Sequence, residues 1–465
     1  MSSRDTRRTD PVAFLDERLN VAGPLRKTLR YVFPGHWSFL LGEMALYAFV
    51  VLVATGTFLA FFFEPSSAQT TWHGPYAPLD GVQVSRAYGS ALDLSFTVPG
   101  GLLMRQTHHW AALVFLVAIT LHLLRVAFTG AFRKPRELTF AVGVTLLMLA
   151  VVEGYVGYSL LDDLLSGMGL AIGYSTALSI PGVGGALGTL IWDGPFPGGP
   201  ALEPRLYILH VFILPASIAA LISAHLFMIV RTRHTQFRGP GRRERNVVGV
   251  PLWPGYALRS LGWLLAVSAV LVLLGGLVQI NPVWQWGPFE PWLGENGAQP
   301  DWYLGWLIGA LRLMPNWEIT AFGHAIVPNP FFGGVIFPEA VFGFLYALPW
   351  LDRVVFTRES EAHHLLDRPR DNPRRTGVLA AALILVATVF FFGSADRVFL
   401  SLSIPYELQL WLFRAFVLMG PIVAYSVTRR SCLALRRAGA HPLRDVDAEL
   451  IAPRAAGESQ PVGGP

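Results

Sequence analysis

The chain has 465 residues, 53% of them hydrophobic and only 14% charged, with a formal net charge of +5. An ordinary soluble domain carries about 25% charged residues, so the composition excludes that class and points to a polytopic membrane protein. The single cysteine, Cys432, excludes internal disulfides, a Cys-x-x-Cys-His haem attachment and a four-cysteine iron–sulfur cluster.

In chain order, residues 1–38 are polar and lack the apolar run of a secretion signal. They read as a cytoplasmic segment. Eight apolar runs then have the length a bilayer core demands: Phe39–Phe63, Trp110–Phe128, Phe140–Tyr158, Tyr207–Val230, Leu258–Val278, Gly333–Leu351, Val378–Gly393 and Leu408–Val427. Glycine and proline punctuate the stretches between them. The expected fold is all-α, with a four-helix part over 39–230, four further helices over 231–430 and a partly disordered cytoplasmic tail over 431–465. Eight crossings put both termini on one side, together with loops 129–138, 231–259 and 352–376. That side holds 29 of the 36 Lys and Arg, so the positive-inside rule makes it the cytoplasm or its equivalent. The basic stretch "RTRHTQFRGPGRRER" reads as a juxtamembrane loop meeting lipid headgroups, not as a nucleic-acid site.

The second run carries "HHWAALVFLVAITLH", whose first and last histidines, His108 and His122, are 14 residues apart. At about 100° per residue they fall about 40° from one face and about 21 Å apart along the helix. The fourth run repeats the device with His210 and His225, 15 apart, about 60° off one face in the opposite sense. The two runs cross in the same direction, so His108 faces His210 and His122 faces His225. Two facing imidazoles are an axial ligand set for a six-coordinate haem iron. A lone membrane histidine usually just hydrogen-bonds across helices; four at matched spacing on two helices favour two haems, one towards each face.

Glycines support this. Gly42 and Gly56 in the first run are 14 apart, as are Gly143 and Gly157 in the third. Glycine lets a backbone approach a flat ring closely. Arg105 lies one turn before His108 and Arg125 one turn after His122, placed to meet haem propionates. His109 points off the His108 face and is left out. His36, His73, His234, His324, His363, His364 and His441 fall in loops or tails.

With these landmarks the sequence resembles cytochrome b of the quinol–cytochrome c reductases, in its actinobacterial branch. The resemblance runs from "HWSFLLGEMALY" to about Arg437. It is carried by "GGLLMRQTHHWAALVF", "HLLRVAFTGAFRKPRE", "GYVGYSLLDDLLSGMGL", "RLYILHVFILP", "RHTQFRGPGR", "QPDWYLGWLIGALRLMPNWE" and "DRPRDNPRRT", in that order. It implies two haems b, with His108 and His210 holding the low-potential haem near the outer face and His122 and His225 the high-potential one near the cytoplasm. It implies quinol oxidation outside, usually of menaquinol, with one electron passing to a Rieske iron–sulfur protein and the other crossing to an inner quinone. The proton gradient grows accordingly. The partners implied are the Rieske subunit, a dihaem cytochrome c subunit, a terminal oxidase joined in a supercomplex, and a second copy of the chain.

The family's outer motif appears as "PDWY", with Asp301 where most members have Glu. A carboxylate near a bound quinol hydroxyl can accept its proton. Tyr303 closes the motif, and Tyr158 and Gly169 belong to the segment that the family uses to line the same pocket. Leu161 replaces a usual proline, so the turn there is expected to be less fixed. On the inner side Arg259 and Ser260 stand where mitochondrial relatives have a Lys–Asp pair, and His234 is the candidate substitute for the missing acid. Two rival readings are weaker. A dehydrogenase's dihaem anchor would be shorter and lack "PDWY". A transporter would show internal repeats, and none is visible.

Overall fold

A computed structural model describes residues 11–20, 22–293, 301–358, 361–394 and 396–440. The first ten residues, the tail 441–465 where disorder is expected, and Pro300 of the outer motif lie outside it. Eight helices in the described residues are long and apolar enough to cross a membrane: Trp37–Ala60, Gly101–Thr129, Glu137–Ser159, Leu202–Thr232, Leu252–Leu277, Phe332–Phe356, Pro373–Ser394 and Tyr406–Ala438. They are called the first to eighth spans below. Each expected run maps to one of them.

The second span starts nine residues before its apolar run. Its early turns hold Arg105, Gln106 and Thr107, all buried. A later loop satisfies Gln106: its Nε2 donates to the Ile280 carbonyl at 2.8 Å and its Oε1 accepts from the Ile280 N–H at 2.8 Å. The span stops at Gly130, whose φ of +65° is the left-handed cap that glycine adopts freely.

The first span packs along the second, and the fourth along the third. The fifth lies against the second and first, and the sixth against the third. The seventh and eighth pack on each other, and the short helix Gly305–Leu313 packs on the seventh. Between the two histidine levels the core is apolar, built from Ala48, Ala111, Phe115, Leu116, Ile119, Ala150, Ile218 and Leu271. This plug lies between the two levels.

The loops carry four two-stranded sheets among the described residues. On the His108 side lie the hairpin Gln69–Thr71 with Gln83–Ser85, the helix Arg86–Phe96, and the helices Leu164–Leu178 and Gly184–Trp192. On the His122 side, Arg375 is fully buried and bridges two carboxylates, Asp352 at 3.4 Å and Asp367 at 2.8 Å, while Arg133 also reaches Asp367 at 3.0 Å. That network ties the loop after the second span to the sixth and seventh. Removing one partner would strand a buried charge, a loss of about 3–5 kcal/mol.

Candidate functional site

The four histidines form two levels. At one end the His108 and His210 ring centres are 6.1 Å apart, with planes at 79°. An iron between two imidazole nitrogens, with bonds of about 2 Å and about 1 Å more to each ring centre, needs roughly this gap. Thr55 Oγ1 lies 2.9 Å from His108 Nδ1 and donates its own proton to the Val51 carbonyl at 2.7 Å. Towards His108 it therefore accepts, which puts the imidazole proton on Nδ1 and leaves Nε2 bare. His210 Nδ1 is held likewise by Glu153, 3.0 Å from Oε1 and 3.3 Å from its carbonyl. Partners of this kind fix the tautomer of a metal-binding histidine. They also explain the charge of Glu153 inside an apolar span.

At the other end His122 and His225 line a cavity of about 1000 Å³ with Arg125, Arg136, His234 and Tyr256. This lies at the upper end of the usual ligand-pocket range of roughly 300–1,000 Å³. Buried and without hydrogen-bond partners are the Nδ1 atoms of His122 and His225 and the Nε of Arg125. Arg105 at the first level is only 6% exposed; its Nη1 donates to the Asn281 carbonyl at 3.2 Å, while Nε and Nη2 have no partner. Two buried guanidinium groups with donors to spare suit acidic groups on a ligand.

Each glycine of the expected pattern sits against a histidine ring. A methyl group at Gly42 would stand 3.1 Å from His122 Cε1, at Gly56 3.1 Å from His108 Cε1, and at Gly143 3.5 Å from His225 Cε1. At Gly157 it would collide with the His210 ring. Among the described residues no group of three or more His, Cys, Asp or Glu is arranged to hold a bare ion. Two facing imidazoles supply two ligands only. The metal they suit must bring its other ligands with it, as iron in a porphyrin does.

Beside the first level, Asp301 precedes the short turn Trp302–Leu304. Its carboxylate accepts from His109 Nε2 at 3.0 and 3.2 Å. His109 faces away from the His108–His210 pair, as expected, but this second face belongs to the site as well. Tyr303 is buried, and a methyl at Gly154 would stand 2.8 Å from its hydroxyl. Burial, and then the charge of Asp301, push the Tyr303 phenol well up, so it stays a neutral hydrogen-bond donor. Tyr158 is buried with an unpartnered hydroxyl and lies within electrostatic reach of Asp301 and Tyr303. Gly169 lies against the Tyr158 ring, and its carbonyl accepts from Tyr155 at 3.2 Å. Asp301, Tyr303, Tyr158 and Gly169 thus lie close together beside the first level.

The expectation of a loose turn at Leu161 needs correcting. Leu161 packs beside Trp72, Tyr88 and Val283. Two residues on, Asp163 is fully buried, caps the helix Leu164–Leu178 reciprocally with Ser166, and pairs with Pro288. A capping box and a bridge supply the rigidity that a proline would otherwise give.

On the second level His234 is buried against Phe33, with ring centres 4.8 Å apart, and its Nε2 has no partner. Burial, then Arg136 and Arg125, push it down to about 4. Arg259 also lines the cavity. Ser260 bonds to the Tyr47 hydroxyl. Sequence reasoning did not bring in Glu43, which lines the same cavity and accepts from Tyr256 at 2.7 Å and from Tyr47 at 3.4 Å. The available signal was an acid inside an apolar span, itself a mark of function.

Comparison with known proteins agrees with this geometry. Residues 113–288 match the family model described as Cytochrome b(N-terminal)/b6/petB. The chain is 47% identical over 424 residues to the cytochrome bc1 complex cytochrome b subunit of Mycobacterium tuberculosis, covering 91% of this chain and 76% of that one. It is 42% identical over 422 residues to the subunit of the same name from Streptomyces coelicolor, covering 91% and 77%. Among solved structures it is similar to a chain of a hyperthermophilic respiratory Complex III, with a TM-score of 0.65 at 20% identity over 90% of this chain and 98% of that one.

Proposed function

Because the chain belongs to the cytochrome b family of bacterial cytochrome bc1 complexes, we propose that it oxidises a quinol at the Asp301 pocket and carries electrons across the plasma membrane to a quinone in the cavity at the His122 level. The family implies haem b. Haem iron, when bound, supplies a reversible one-electron carrier at each level. His108 with His210, and His122 with His225, would hold it axially; at the first level the bare Nε2 atoms and the ring gap support that reading. Arg105 and Arg125 would hold the propionates, and the four glycines leave the ring edges room.

The chain's own residues handle the protons and the geometry. A quinol losing two electrons also sheds two protons. Asp301, with both oxygens accepting from His109, is placed as the acceptor of one. Tyr303 and Tyr158 present neutral hydroxyls for orienting a quinol oxygen, and Gly169 leaves the Tyr158 ring free to lie flat. The alanine and leucine plug between the levels keeps water and protons from following the electrons. The outer electron acceptor is a Rieske iron–sulfur subunit, with a cytochrome c subunit beyond it. A twofold dimer and attachment to a terminal oxidase complete the proposed assembly. The basic loops put both termini in the cytoplasm.

The observation that carries the proposal is the pairing of two facing histidine levels with an acid beside one of them. The test is Asp301→Asn in the purified complex. Both haem spectra should persist while quinol oxidation falls about a hundredfold or more, the range of a lost general base. Near-parental turnover would move the proton path away from Asp301.

A further inference from the structure

A quinone reduced in the inner cavity needs two protons as well as two electrons, and few of the cavity's side chains can supply protons. Arg125, Arg136, Arg233 and Arg259 keep theirs. His234 packs against Tyr31 and Phe33, and burial with the charges of Arg136 and Arg125 disfavours its protonated form. His36 is lowered too, by burial and the charges of Arg125 and Arg242. Among the described residues that line the cavity, Glu43 is the one carboxylate.

Its setting is built rather than incidental. Tyr256 donates to Oε1 at 2.7 Å and Tyr47 to Oε2 at 3.4 Å. Tyr47 is bonded onward to Ser260, and Tyr256 stacks on Phe33 with ring centres 3.7 Å apart. The charged and titratable neighbours facing the cavity are His36 before the first span, His122 and Arg125 from the second, Arg136 before the third, His225 from the fourth, Arg233 and His234 after it, and Tyr256 and Arg259 from the fifth. Trp37, at the start of the first span, lines the same cavity.

We propose that Glu43, gripped by Tyr256 and Tyr47, is the proton donor to the quinone reduced in this cavity. The proposal rests on the inner-site reading above. As electrons reach the quinone past His122 and His225, a quinone oxygen forms its O–H bond while the Glu43 carboxyl O–H bond breaks. Glu43 regains a proton from water on the cytoplasmic side and protonates the second oxygen in the same way. Two electrons and two protons convert one quinone to one quinol. Ser260, held by Tyr47, positions that tyrosine.

The test uses the purified complex, its inner haem reduced by a quinol pulse and reoxidised by 2,3-dimethyl-1,4-naphthoquinone while absorbance is followed. The unmodified complex must show quinone-dependent reoxidation; without it the inner-site reading itself fails. Glu43→Gln should slow reoxidation about a hundredfold with both haem spectra unchanged, and Glu43→Asp should recover at least a tenth of the parental rate. A parental rate in Glu43→Gln overturns the role of Glu43 and leaves the inner site standing. Tyr256→Phe gives a second readout should the glutamine variant assemble poorly. It removes the hydrogen bond that holds Oε1 in place, so reoxidation should slow about tenfold with both haem spectra unchanged. An unchanged rate in that variant also overturns the proposal.

Discussion

His109 and Asp301 meet across the interface between the second span and the loop after the fifth, 192 residues apart in sequence. The histidine donates and the carboxylate accepts, so the pair sets the direction in which Asp301 can take a quinol proton. A hydrogen bond to a charged group contributes about 1.5–3 kcal/mol, roughly a tenfold or greater effect on rate if all of it serves positioning. His109→Ala should therefore slow quinol oxidation about tenfold, and His109→Gln, which keeps an N–H donor, should restore part of it. The rate is measured at saturating quinol with both haem spectra checked. Parental turnover in His109→Ala would reduce the contact to packing. The two histidine levels were legible from spacing alone. His109 was not, because its partner comes from a loop that no periodicity connects to it.

The fourth span shows why the two histidine intervals differ. His108 and His122 are 14 residues apart on an unbroken α-helix. His210 and His225 are 15 apart, and a straight helix would rotate them about 100° further. The structure removes that excess with a π turn at Leu209–Ile213, which contains His210. One π turn takes up one extra residue, so the longer interval closes onto the geometry of the shorter. The cause is Pro215. It has no N–H to give the Val211 carbonyl and its ring crowds that carbonyl. The sixth span repeats the arrangement, with a π turn at Phe332–Ile336 followed by Pro338. Deleting Val211 together with Pro215→Ala should therefore convert the turn to plain α-helix and keep both haems. Inserting one alanine after Ala219 adds rotation with nothing to absorb it and should cost one haem. Haem-to-protein ratios of the two variants test this; loss of a haem in the deletion and retention in the insertion would refute it. The 60° offset expected from the sequence was wrong for this reason: a proline was visible, but the π turn it sets beside His210 was not.

At the scale of the whole molecule, hydropathy located every span, because each apolar run must be long enough for the bilayer core whatever it packs against. Span ends were less legible. The second helix runs nine residues back from Trp110 to Gly101 through buried polar residues, where the Ile280 backbone satisfies Gln106 and the Asn281 carbonyl takes one Arg105 donor. The outer carboxylate was legible as a motif, while its turn at Leu161 was misjudged, since Asp163 and Ser166 do the work of a proline. Glu43 stood in plain view as an acid in an apolar run, yet its role depends on Tyr256, 213 residues away.

The central claim is that two facing histidine pairs hold two haems b, one at each level of the bundle. Reduced-minus-oxidised spectra with a b-haem count, taken on the purified complex and on its His122→Ala and His225→Ala variants, test it most directly. The unmodified complex should carry two b-type haems per copy of this chain, and each variant should lose the haem of the His122 level while keeping most of the signal of the other. Two intact b-haem signals in either variant would contradict the account.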